Sequence, residues 1–372
     1  MKILLLGEYS NVHWTLALGL RRLGHQVTVL SNGDFWKDYP RDISLVRHDR
    51  PFDGMLYYAK LLTILPRLRG YDIVQLINPM FLELKAERLF AIYHYLRRHN
   101  RCVIMGAFGM DYYWVKTCDS EQSPLRYSDF NIGSKRRFCE DADKERTDWI
   151  GTPKERLNKE IASDCDAIVA GLYEYWVCYE PSFPHKVLFI PYPIQTDKFP
   201  PRKAFYTEGS PIKLFIGISK KRSVYKGTDI MLKAAEAIKE KYPDKIDLLI
   251  AEGIPFELYC QMMEGADIIA DQLYSYTPAM NALQAMSRGI ICLGGGEPEN
   301  YQIIHEEQLR PIINVQPTYE SVYHELESII LHPHDIASMQ KQSIAYIEKH
   351  HEYIHVARQY ERLYEKVIES KK

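Results

Sequence analysis

Residues 265–301 read GADIIADQLYSYTPAMNALQAMSRGIICLGGGEPENY. The stretch opens on a short apolar run, Ile268-Ile269-Ala270, and passes through a polar aromatic loop, Asp271 to Pro278. An Ala- and Met-rich helical segment follows, then a second apolar run, Ile290 to Leu293, then three glycines. Two buried strands flanking a helix, with loops at both carboxyl ends, are how an open parallel α/β sheet builds a ligand crevice.

The same order carries a resemblance. Strand, loop, a helix ending in Leu283-Gln284-Ala285-Met286, then Arg288-Gly289, an apolar strand and Gly295-Gly296-x-Pro298-Glu299 resembles the donor half of retaining glycosyltransferases of the GT-B fold, family-four type. Their hallmark is a pair of glutamates with seven residues between them, the second just before Ala-Met. Here those positions hold Tyr276 and Gln284. The frame is similar while both carboxylates are replaced.

The resemblance implies an α/β protein with two Rossmann-like doubly wound parallel-sheet domains facing a cleft. A chain of 372 residues suits two domains. The first is expected over residues 1–200, joined by a C-terminal crossover helix from about residue 350 to 372. The donor domain is expected over 201–349. The boundary falls in Pro191-Tyr192-Pro193-Ile194-Gln195-Thr196-Asp197-Lys198-Phe199, which resembles the family's interdomain linker and is rich in turn formers.

Composition excludes several classes. A net charge of −2 gives no global pull toward nucleic acid. Seven cysteines, odd in number and without CxxC pairs, argue against a disulfide framework or a structural zinc site and fit a reducing cytosol. The apolar run Ile3 to Leu6 is too short for a signal peptide, and no run approaches the roughly 20 residues needed to span a bilayer. A cytoplasmic protein is expected, with peripheral membrane contact at most.

Along the first half, Lys2 to Leu6 reads as a parallel strand covered on both faces, Gly7 ends it, and Ser10 or Asn11 can cap the next helix. Val27 to Leu30 completes a βαβ unit. Its first turn lacks GxGxxG, and Glu8 with Tyr9 would obstruct a dinucleotide pyrophosphate, so a nicotinamide or flavin cofactor is not expected. The resemblance places Glu8, Tyr9 and His13 at the cleft as acceptor-side residues; alternatively His13 packs against the sheet. Strands follow at Ile73 to Ile77 and Cys102 to Met105. The second leads into Gly106 to Trp114, where Asp111 and three aromatics suit a sugar site, or Asp111 caps a helix and the rings are core. Residues Lys116 to Leu157 read as a polar surface excursion that can wall the cleft. Its Lys135-Arg136-Arg137 cluster either meets anionic lipid or pyrophosphate, or is solvated.

The second half begins with the strand Ile212 to Ile218 and the basic loop Ser219-Lys220-Lys221-Arg222-Ser223-Val224-Tyr225-Lys226-Gly227, before a helix capped by Thr228. Cations at a strand's carboxyl end beside a helix amino terminus form a phosphate-binding constellation. In the family an Arg after this strand and the Lys of Lys-Gly clamp the donor diphosphate. Lys226 occupies the second position, and Lys220 or Arg222 would substitute for the first, where Ile218 stands. Ile312 to Val315 reads as a last strand.

The resemblance implies a nucleotide-sugar donor and a glycan or lipid-linked acceptor, with no cofactor and no metal. Lys226 and Lys220 would neutralise the diphosphate, with Ser219 and Arg222 beside them. Gln284 would meet the ribose. Tyr276, Thr277 and Asn281 would meet sugar and phosphate, and Gly295, Gly296 and Glu299 would close the site. Met280, Leu283 and Met286 are read as core. Two other classes stay open: a non-catalytic glycan- or partner-binding protein, and a sugar-nucleotide epimerase.

Overall fold

The computed structural model describes residues 1–48, 50–219 and 222–371. The first half contains β1 (Lys2–Leu6), α1 (Val12–Arg22), β2 (Gln26–Ser31), β3 (Ile43–Ser44), α2 (Asp53–Ile64), β4 (Ile73–Leu76), α3 (Ala86–His99), β5 (Cys102–Ala107) and α4 (Tyr112–Cys118). It continues through a small hairpin, β6 (Asn131–Ile132) and β7 (Lys135–Arg136), to α5 (Glu140–Trp149), α6 (Pro153–Asp164), β8 (Ala167–Ala170), α7 (Tyr173–Tyr179) and β9 (Val187–Phe189). Seven strands make one parallel sheet in the order β3-β2-β1-β4-β5-β8-β9. β1, β5 and β8 read as nearly continuous apolar runs, and β4 as one interrupted by Gln75, because helices cover both faces of the sheet.

The second half contains β10 (Ile212–Ile218), α8 (Ser223–Lys226), α9 (Thr228–Lys241), β11 (Ile246–Glu252), α10 (Phe256–Glu264), β12 (Ile268–Ala270), α11 (Met280–Ser287) and β13 (Ile291–Leu293). α12 (Pro298–Ile303), α13 (Tyr319–Leu331), α14 (Ile336–His350) and α15 (Tyr353–Glu369) complete the chain. Its four strands are parallel in the order β11-β10-β12-β13. The protein is thus α/β, with two Rossmann-like parallel sheets, as its alternating pattern predicts. The strand expected at Ile312 to Val315 is only a single parallel bridge, Ile313 to Leu293.

Two expected caps are corrected. Neither Ser10 nor Asn11 caps α1: both have positive φ, and Asn11 offers no side-chain bond. The carboxyl group of Glu8 takes that role, accepting the N–H groups of His13 (3.1 Å) and Trp14 (2.8 Å). Thr228 does not cap α9 either; it is the first helical residue behind Gly227 (φ 75°), and its hydroxyl meets Ser223 Oγ at 2.9 Å.

The last helix, α15, returns to the first sheet. Its Tyr364 hydroxyl donates to Gln75 Oε1 at 2.7 Å, and Glu361 pairs with His25 at 2.8 Å. Close approach to α1 depends on Gly19: a Cβ there would lie 2.5 Å from the Tyr353 carbonyl oxygen and 2.7 Å from Ala357 Cβ. Because part of this obstacle is backbone, Gly19→Val is expected to cost about 1–3 kcal/mol in urea denaturation. Unchanged stability would show that α15 does not seat on α1 in this way.

Candidate functional site

The carboxyl ends of the two sheets face a cleft of about 630 Å³ between them. From the first half it takes Tyr9 and Ser10 after β1, Asp34 and Lys37 after β2, Gly109 and Met110 after β5, and Glu174 and Tyr175 on α7. From the second it takes Arg222, Tyr225 and Lys226, the loop residues Gln272, Tyr274 and Ser275, and Ala279 with Met280 at the start of α11.

Lys226 ends α8 inside this cleft. Burial holds its ammonium below the ordinary lysine range, and the nearby Asp271 carboxylate offsets part of that shift. Its Nζ makes no side-chain hydrogen bond among the described residues, so a cation stands in a partly desolvated cavity without a hydrogen-bonded anion. Asp271, at the end of β12, accepts from Asn281 Nδ2 at 3.1 Å. Arg222 also lines the cleft, with its guanidinium 4.7 Å from the Tyr225 ring. Lys37 is already paired, 2.6 Å from Asp34. Asp129 lines the same wall, its carboxyl pushed up to about 6 by burial, with Arg137 and Arg222 among the groups opposing that shift.

Glu174 joins the two halves. Its Oε1 accepts the N–H groups of Tyr276 (2.6 Å) and Thr277 (3.1 Å) and lies 2.9 Å from Ser275 Oγ; its Oε2 accepts the Thr277 hydroxyl. A second clasp comes from the 116–157 excursion. Arg126 pairs with Glu297 (2.6 Å) and Glu299, the Tyr127 hydroxyl donates to Glu297 at 2.7 Å, and the Arg126 N–H donates to the Tyr276 hydroxyl at 2.5 Å. Arg137 donates to the carbonyl of Val224 at 2.6 Å and covers the Tyr274 ring at 3.4 Å.

These contacts redistribute the residues expected at the site. Tyr276 is buried between Tyr127 and Tyr173, with ring centroids at 4.7 and 5.7 Å, and does not line the cleft; Thr277 is committed to Glu174. Asn281 reaches the site only through Asp271, and Gln284, half-buried on α11, is not among the residues lining the cleft. Gly295 has φ 70° and packs on the Thr277 backbone, while Gly296 lies against Ile312 and Asn314 beside a different cavity. Glu299 is held by Arg126, and Ser219 is exposed. Lys220 lies outside the described residues.

Of the residues expected on the acceptor side, Tyr9 lines the cleft. Glu8 lines an adjoining cavity of about 330 Å³. His13 is a core histidine, its Nδ1 2.9 Å from the Gly7 carbonyl, with burial holding it down to about 3. Asp111 caps α4 by accepting the Trp114 N–H at 2.9 Å, and it accepts the Tyr179 hydroxyl at 2.7 Å. The two residues are structural because each has its polar atoms satisfied inside the first half. Of the 135–137 cluster, Arg136 pairs with Asp143 and Arg137 is the clasp described above. Met280, Leu283 and Met286 are buried, as read.

Glu174, Asp271, Asp129 and Arg126 were not singled out from the sequence. Only Asp271 carried a local signal, a carboxylate at the end of an apolar strand. The other three act through partners far away in the chain.

No protein-family profile matches the sequence, and no curated protein matches it. Solved structures do. The chain is similar to sucrose-phosphate synthase from Thermosynechococcus elongatus, at 13% identity and a TM-score of 0.63 over 100% of both chains. The fold is GT-B. Alr3699/HepE from Anabaena in complex with UDP-glucose is similar at 12% identity and a TM-score of 0.60, covering 98% of this chain and 100% of that one. A UDP-GlcNAc 2-epimerase from Neisseria meningitidis, bound to UDP-GlcNAc, is similar at 12% identity and a TM-score of 0.55, with the same coverage. At these identities it is the GT-B architecture that is shared.

Burial pushes Glu8 from 4.5 up to about 8, against the N–H groups of His13 and Trp14. The folded state therefore holds a proton that the unfolded chain has released, so this contribution is full below 4.5 and lost as pH rises through about 8. Glu8→Gln, which stays neutral, is expected to melt above the parent at about pH 9 and to lose that advantage as pH falls toward 4.5. A parent that melts higher at the alkaline pH would contradict a buried neutral Glu8.

Proposed function

We propose that this protein is a cytoplasmic glycosyltransferase that takes a sugar from a nucleotide-sugar donor and passes it to a glycan or lipid-linked acceptor. The observation that carries the reading is Lys226, a cation without a hydrogen-bonded anion among the described residues, beside Arg222 at the carboxyl end of β10 in the cleft of a GT-B fold. Two of the similar structures were solved with a UDP-sugar bound, which supports a nucleoside diphosphate as the ligand.

Lys226 and Arg222 would neutralise the diphosphate as the sugar C1–O bond breaks with its electron pair on the leaving phosphate oxygen. The acceptor oxygen bonds to C1, and its proton passes to that phosphate. We propose transfer with retention and without a metal, the fixed cations taking the part a divalent ion plays elsewhere. Lys220, two residues before Arg222 in the sequence, is proposed to assist. Asp271 is a positioning residue: it holds Lys226 charged against burial. Tyr9 and the cavity beside Glu8 face the acceptor.

One observation favours a second reading. Both family carboxylates are replaced, and Tyr276 and Glu299 are engaged in the Arg126 clasp, as suits a protein that binds sugar nucleotides or glycans without turnover. Calorimetric titration with UDP, GDP, ADP and CMP is expected to find one nucleotide that binds, and Lys226→Ala to weaken it by roughly tenfold or more at unchanged melting temperature. Equal affinity in that variant would remove Lys226 from the site.

A further inference from the structure

α2 has two apolar stripes where a surface helix has one. Tyr57, Leu61 and Ile64 face the core and are buried. On the other side Met55, Leu56 and Leu62 are 62%, 66% and 47% exposed, with exposed Ala59 between them, and Phe52, the residue just before the helix, is 75% exposed. A helix apolar on both sides is ordinarily buried on both. Removing these side chains from water is favourable, so the outer stripe is a surface in need of an apolar partner.

Its surroundings are basic. Segment 47–69 holds five Lys or Arg against two Asp. Lys60 lies on the helix, its Nζ donating to the Ser44 carbonyl at 2.9 Å, Arg67 lies in the short turn that follows the helix, Arg47 lies beside the first turn at Gly54, and Arg88 stands 4.8 Å from the Tyr58 ring. Asp53 is occupied in accepting the His48 N–H at 2.5 Å. Apolar residues ringed by cations match the two layers of an anionic bilayer surface, acyl chains beneath phosphates.

The same helix walls the cavity beside Glu8. Tyr57 lines it with Phe35, Leu45, Phe81, Leu82 and Trp149, so it is largely apolar, and it shares Tyr9, Met110 and Glu145 with the cleft. We propose that α2 is a docking surface for an anionic lipid bilayer and that the acceptor is drawn from that bilayer. The second clause rests on the transferase reading above; the first does not. The Lys135-Arg136-Arg137 cluster is not this surface, because Arg137 clasps the two halves and Arg136 pairs with Asp143.

Co-sedimentation of the full chain with vesicles tests this, using phosphatidylcholine alone or mixed with phosphatidylglycerol. The protein is expected to sediment with the anionic vesicles and not with phosphatidylcholine alone. Lys60→Gln should weaken the partition about fivefold, and the Phe52→Ser, Leu56→Ser double variant tenfold or more. Both variants should keep the parent's melting temperature and nucleotide affinity, since the replaced side chains lie on the outer surface. Absence of sedimentation with anionic vesicles overturns the proposal, as does unchanged sedimentation of the double variant. So does a dimer that the double variant turns into a monomer, which would make a second copy the occupant. A parent that sediments with anionic vesicles but binds no nucleotide would sink the transferase reading and leave the docking surface standing.

Discussion

A buried carboxylate ties the two halves of this GT-B chain together. Glu174 leaves the first half on α7 and gathers the backbone N–H groups of Tyr276 and Thr277 and the Thr277 hydroxyl, all on the loop after β12. Burial raises its pKa while those donors oppose the shift, so the charge is tolerable only where the loop sits. Breaking such a buried arrangement costs about 3–5 kcal/mol. With the loop fixed, Tyr274 and Ser275 face the cleft and the Tyr276 ring turns away into the Tyr127–Tyr173 stack. The family that the sequence resembles has a glutamate at the Tyr276 position; in this chain the loop meets a glutamate that comes from across the cleft.

The excursion between α4 and α6 strengthens that junction. Arg126 and Tyr127 hold Glu297 and Glu299, and Arg137 holds the backbone at Val224 while covering Tyr274. These contacts tie the Gly-Gly-x-Pro-Glu loop and the basic loop to the same polar segment. What remains accessible is a cavity whose cations, Arg222, Lys226 and the Asp34-paired Lys37, stand among the carboxyl groups of Asp129, Asp141 and Glu145. An anion entering there meets fixed positive charge at one place and repulsion elsewhere, which selects position as well as charge.

The alternation of sheets and helices was legible because strands covered on both faces are continuous apolar runs, from Lys2–Leu6 to Ile291–Leu293. The place of Lys226 in the cleft was legible too, since a Lys-Gly after a strand and before a helix is a local pattern. Caps were misread where the backbone took positive φ at Ser10 and Asn11 and left the capping to Glu8, a residue outside the usual cap positions. His13 and Asp111 went to their structural alternatives, which one sequence cannot separate from the functional ones. Glu174 and Arg126 left no local signal: their partners lie about a hundred or more residues away, and only the closed fold brings them together.

The central claim is that this cleft holds a nucleoside diphosphate and releases it from a sugar. The most direct measurement incubates the protein with a panel of nucleotide sugars and follows free nucleoside diphosphate by chromatography, with and without glycan or lipid-linked acceptors. Release from one donor, lost in the Lys226→Ala variant, is the predicted result. A panel in which no donor is bound or cleaved would contradict it.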